Sequence, residues 1–271
     1  MTQEESTAQD QNPNNSQETF ISHLIELRSR LLKSVTAILV VCLILFIYPG
    51  ASRMYDFLAA PMLAALPTGA HMIATGVITP FMVPIKVTLM AAFVIALPIV
   101  LYQAWAFVAP GLYKHEKRLA LPLIVSSTVL FLLGMAFCYF VVFRMVFHVI
   151  ASYAPQSITP APDIEAYLSF VMTMFLAFGV TFEVPVLVVL LVKTGVVTVA
   201  KLKSIRGYII VGAFITAAVV TPPDVLSQFM LAFPLCLLFE LGLLAASFVS
   251  KPRPAEEPAD EVTTTDPPAD H

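Results

Sequence analysis

The chain has 271 residues, 58% hydrophobic and 12% charged, with 15 Lys and Arg against 18 Asp and Glu. Average proteins carry about 25% charged residues, so this composition excludes a soluble globule, and a net charge of −3 with clustered bases argues against a nucleic-acid partner. Cys42, Cys138 and Cys236 sit in separate apolar runs, which speaks against a disulfide framework and against a metal site.

Residues 1–18 are rich in Gln, Asn and Ser without periodicity and read as a disordered tail. They contain no apolar h-region, so the first apolar run is expected to stay in place as a transmembrane helix. From Phe20 onward, Leu24, Leu27 and Leu31 recur at helical spacing opposite a polar stripe of His23, Glu26, Arg30 and Lys33. That pattern predicts an amphipathic helix at the membrane surface, with Glu26 and Arg30 placed to pair one turn apart.

Hydropathy then predicts six spans, at about 31–48, 80–109, 119–149, 168–192, 207–220 and 225–249, within a membrane domain covering 19–250. The fold class expected is an all-α membrane protein. The 49–79 connection holds Pro61, Pro67 and Gly69 and should contain short helical pieces. Pro84 and Pro98 predict bends in the second span, and Ala109-Pro110-Gly111 ends it before a basic turn, Lys114–Arg118. The fifth span, 14 residues, would measure about 21 Å, well short of the hydrocarbon core of about 30 Å. Residues 251–271 are Pro- and acid-rich and read as a second disordered tail.

Twelve Lys and Arg fall in the N-terminal segment, the 114–118 turn, the 193–206 segment and the C-terminal segment, while Arg53, Lys86 and Arg144 lie toward the other side. By the positive-inside rule both termini are expected to be cytoplasmic.

Glu183 is the one formal charge in the run Leu168–Val192, with Pro185 beside it. A carboxylate at that depth costs about 2.5–3.5 kcal/mol on insertion scales, so it should face other helices, a wet cavity or a partner. One reading is a protonated acid bonded within a packed bundle; the other is a functional group. Glu116, among Lys114, His115, Lys117 and Arg118, either tempers a basic loop or combines with Glu26 as two carboxylate forks. Such forks suit two guanidinium groups, whose paired N–H donors match a carboxylate as an ammonium does not. The chain contains no phosphate-binding loop, His-Glu-x-x-His pattern, GxSxG or dinucleotide loop, so neither an enzyme nor a cofactor is expected.

The segments HLIELRSR, VAPGLYKHE, SFVMTMFLAFGVTFEVPV and TPPDVLSQ resemble, in order and spacing, the TatC family of twin-arginine translocase subunits, over about residues 20–250. The resemblance implies a concave, glove-like bundle of six helices with short fifth and sixth helices, in the bacterial inner membrane. It further implies a receptor for the twin-arginine signal peptides of folded precursors. TatB and TatA are the implied partners, with self-association in the receptor complex, contact with membrane lipid, and transport driven by the proton-motive force. Carried over by motif, the signal-peptide site would be Glu26, Arg28, Phe107 and Glu116, with Glu183 facing the cavity. Thr221 and Gln228 would receive TatA or TatB, and Pro61 and Asp224 would be structural positions in the outer connections. Two alternatives are weighed beside this: a proton-coupled solute carrier using Glu183, and a scaffold without a ligand. No inverted repeat supports the carrier.

Overall fold

The computed structural model describes residues 13–65, 71–108, 117–153, 161–221 and 225–249. Glu116 and Asp224 therefore lie outside the described residues, as do residues 1–12 and the expected C-terminal tail.

The first helix, α1, runs unbroken over Pro13–Ile47. It merges what the sequence suggested were a surface helix and a separate span, and it begins inside the tail expected to be disordered. The reason is local: Pro13 is well placed to open a helix, and no Gly or Pro interrupts the chain again until Pro49. A second helix, α2 (Ala51–Ala65), fills much of the following connection and accommodates Pro61. The long α3 (Thr79–Val108) contains Pro84 and Pro98. Next, α4 runs Lys117–Phe137, loosens into a π-helical turn at Cys138–Val142, and continues as Phe143–Tyr153.

The fourth predicted span divides in two. Its first part, α5 (Ile164–Phe182), ends at Glu183, and its second, α6 (Val184–Lys193), starts with Pro185 in its first turn. Proline has no N–H to give the preceding turn, so the helix breaks at the charged residue. A turn through Gly195, at φ +75°, leads to a short helix α7 (Val199–Ser204) capped by Thr198. The hairpin of α8 (Arg206–Val220) and α9 (Val225–Val249) completes the chain.

Among the described residues, five stretches are long and apolar enough to cross a membrane: Ile21–Ile47, Thr79–Val108, Leu121–Ile150, Ile164–Lys193 and Val225–Phe248. At 15 residues α8 is short, as expected. By contrast α9, with 25 residues, is full length, which corrects the expectation of a short sixth helix. Pro234 does not end it, because neighbouring helices in a membrane bundle can re-satisfy the freed carbonyl.

Packing pairs α1 with α3, α4 with α5, α6 with α9, and α8 with α9, while α2 lies against α3 and α4. The main core gathers around Phe143, Phe178, Leu97, Leu168 and Met174, all fully buried. Lipid supplies no hydrophobic drive between helices, so close van der Waals contact carries their association. Gly134 illustrates it: a Cβ there would lie 2.6 Å from the Phe178 carbonyl oxygen, so only glycine lets α4 approach α5 this closely.

Polar bonds tie the α2 end of the bundle. Ile73 and Asp163 form an isolated bridge, with Ile164 N donating to the Ile73 carbonyl at 2.9 Å. Tyr167 and Tyr139 donate their hydroxyls to the carbonyls of Leu58 and Phe57, at 2.8 and 2.9 Å, fastening α2 over the bundle.

Candidate functional site

Two polar regions are candidates, one at the end opposite α2 and one inside the bundle. At the first, the polar stripe of α1 meets the last turn of α3. His23 stacks on Phe107 with ring centroids 4.3 Å apart and planes 19° from parallel. One turn on, Glu26 Oε1 accepts from both Arg30 Nε (3.0 Å) and Nη2 (2.5 Å), which is the pair that the sequence spacing suggested. Arg28 is exposed and lines an apolar groove of about 760 Å³ with Ile25, Leu32, Lys33 and, from α3, Ile99. Glu26, Arg28 and Phe107 therefore share one end of the α1–α3 pair. Glu116, expected to complete the set, lies outside the described residues.

The second region surrounds Glu183 at the α5–α6 break. Both carboxyl oxygens are buried without completing a hydrogen bond of ordinary geometry. Ser127 of α4 is the polar side chain that faces them, and it is itself fully buried, accepting the Trp105 indole N–H at 2.8 Å. Trp105, Ser127 and Glu183 thus make a polar path through the junction of α3, α4 and α5–α6. Sequence reasoning singled out Glu183 but missed Ser127, which nothing local distinguishes from other serines in apolar helices.

The remaining carried-over residues play visible structural parts. Thr221 is buried, and its hydroxyl returns to the Ala217 carbonyl at 2.8 Å, closing the end of α8. Gln228 donates to the Phe214 carbonyl at 3.3 Å, bridging α9 to α8. Pro61 sits within α2. Glu240 of α9 is paired with Arg206 at 2.7 Å.

At the α2 end, Asp163 caps α5 through the N–H groups of Glu165 and Ala166 and accepts from Thr75 N (3.1 Å) and Oγ1 (2.9 Å). The Ala166 and Thr75 bonds hold its carboxyl below the usual aspartate range. Glu165 receives Lys86 at 2.8 Å and Thr79 at 3.1 Å. No cluster of His, Cys, Asp and Glu able to hold a metal occurs among the described residues.

The helices and their polar sites define a multi-pass α-helical membrane protein with a buried intramembrane acid. The family model for the Sec-independent protein translocase protein TatC matches residues 22–234. The chain is 52% identical to the Sec-independent protein translocase protein TatC of Halothiobacillus neapolitanus over 250 residues, covering 91% of this chain and 68% of that one. It is 49% identical to that of Escherichia coli K12 over 241 residues, 88% of this chain and 92% of the other. A crystal structure of the twin-arginine translocase receptor TatC superposes with a TM-score of 0.73 at 38% identity, covering 84% of this chain and all of that one. The chain belongs to the TatC family: it is a subunit of the Sec-independent twin-arginine protein translocase, residing in the bacterial inner membrane.

Proposed function

We propose that this chain is the signal-peptide receptor of its translocase, and that twin-arginine signal peptides dock where α1 meets the end of α3. The observation that carries the reading is the His23–Phe107 stack, which holds the turn bearing Glu26 against the segment that leads to Glu116. In this reading Glu26 and Glu116 each receive one guanidinium, Phe107 and the groove beside Arg28 take the adjoining apolar residues, and the face is cytoplasmic. Glu26 already shares an oxygen with Arg30, so an incoming arginine exchanges one charged bond for another there.

Glu183 serves in this proposal as the intramembrane polar group of the concave face. Thr221 and Gln228 mark the hairpin where TatA or TatB docks, Pro61 and Asp224 shape the outer connections, and further copies of the chain join the receptor complex. The proton-motive force drives transport of the folded precursor.

The test is binding of an Arg-Arg signal peptide to the full chain in nanodiscs, beside the Lys-Lys peptide and the Glu116→Ala protein. Loss of a charged hydrogen bond, about 1.5–3 kcal/mol, predicts affinity lower by roughly 10- to 150-fold in the variant. The Arg-Arg preference should vanish with it. Equal, weak binding in all three would remove this site, and proton flux dependent on Glu183 would then favour the carrier.

A further inference from the structure

A cleft of about 490 Å³ opens at the α2 end, between Ala60, Pro61 and Ala64 of α2 and Tyr139, Arg144 and His148 of α4. Of its lining residues, only Pro61 was given a role above, a structural one. The π-helical turn at Cys138–Val142 contributes Tyr139 and Phe140 to its lining, and the Tyr139 hydroxyl bond to Phe57 ties α2 to that wall. Arg144 and His148 stand one turn apart on α4, both exposed. The opposing wall is low because two of its three residues are alanines.

Arg144 lies within the apolar span Leu121–Ile150. A guanidinium at such a position is held by an anion, a wet cavity or the interface. Among the described residues it has no ion pair. Asp56, one turn before Ala60, makes none with it, and the connecting residues 66–70 and 154–160 contain no Asp or Glu. The chain thus offers two cationic or hydrogen-bonding side chains over a pocket, with no carboxylate paired to Arg144 among the described residues. Beside them, Phe57, Phe140, Val141 and Met145 expose apolar surface.

We infer that this cleft binds an anionic phospholipid, its phosphodiester held by Arg144 and His148 and its acyl chains lying on the exposed surface around Phe140. An Arg fork matches phosphate oxygens, and the exposed apolar side chains of Phe140, Val141 and Met145 beside it suit acyl chains. A zwitterionic headgroup fits less well, because its ammonium would meet two basic side chains and no acid. The assignment holds whichever leaflet contains the α2 end.

Native mass spectrometry of the full chain released from nanodiscs tests it, with phosphatidylglycerol and phosphatidylcholine in equal amounts. The wild-type chain should retain phosphatidylglycerol about tenfold over phosphatidylcholine, the scale of one charged contact. Arg144→Gln with His148→Gln should bring the ratio close to one. Ala60→Trp should do the same by filling the cleft with both basic groups intact, which separates occupancy from a folding defect in the charge variants. Arg53→Gln, which removes an α2-end charge outside the cleft, should leave the ratio unchanged. Equal retention of the two lipids by the wild-type chain overturns the inference. So does a wild-type ratio in both the charge and Ala60→Trp variants, or an Arg53→Gln loss as large as theirs. Displacement of the lipid by an equal concentration of soluble glycerol phosphate would also overturn it, since the site would then recognise the free anion.

Discussion

The contact between α6 and α9 offers a test of how the bend at Glu183 is held. A Cβ added at Gly242 would fall 2.7 Å from the Pro185 Cα and 3.2 Å from the Val188 Cβ. Carbon atoms rest at about 3.5–4.0 Å, so Gly242→Ala must push the two helices apart by about 1 Å. The obstruction is backbone, which cannot rotate away. Overpacking of this kind costs about 1–3 kcal/mol, set against a gain of up to about 1 kcal/mol from alanine's better helix propensity. Gly212, in α8, isolates the second term: nothing lies within 4 Å of its added Cβ. Propensity then cancels between the two variants, and their difference reports the clash alone. In thermal unfolding of detergent-purified protein, Gly212→Ala should match or exceed the wild type, while Gly242→Ala should fall below Gly212→Ala by about 1–3 kcal/mol. Two identical melting curves would refute the close approach of α6 and α9 at Gly242.

Three further outcomes are expected. Tyr167→Phe removes a buried hydrogen bond to the Leu58 carbonyl and should destabilise the protein by about 1 kcal/mol, whereas Tyr139→Phe, at an exposed bond, should cost less; chemical denaturation of both variants checks the order. Asp163 binds fewer protons folded than unfolded, so its contribution is complete above the ordinary aspartate value near 3.8 and is lost as pH falls through the lowered folded value. Asp163→Asn should therefore flatten the acid limb of a melting-temperature profile, and an unchanged limb would dissociate the cap from acid sensitivity. Glu183→Gln should leave Arg-Arg peptide binding intact and reduce transport of a folded precursor in membrane vesicles; loss of peptide binding with transport preserved would invert the roles given to Glu26 and Glu183.

Much of this architecture follows from one-dimensional pattern. Apolar run length predicted every long span and the shortness of α8, because the hydrocarbon core imposes a length that the chain meets locally. Pro185 accounts for the break that the helix takes between α5 and α6, since a missing N–H acts within one turn. The Glu26–Arg30 pair was likewise legible from helical spacing alone. Boundaries were less secure. Polar composition suggested a tail and a separate surface helix before the first span, yet α1 is continuous, as composition does not mark where a helix lacking breakers must stop.

What composition and period determined, then, is the solvent, the helices and the isolated charges; family motifs added the candidate signal-peptide residues. Tertiary structure decided the partners. Ser127 acquires meaning because α3 and α5 bring Trp105 and Glu183 to it, and Asp163 because Thr75, 88 positions earlier, packs above it. Arg144 and His148 look like stray charges until α2 folds over α4 and leaves a cleft between them. Such meetings depend on which helix faces which and at what rotation. In an apolar bundle many faces are nearly equivalent in hydropathy, so that choice rests on shape, on small residues such as Gly134 and Gly242, and on a few long-range hydrogen bonds.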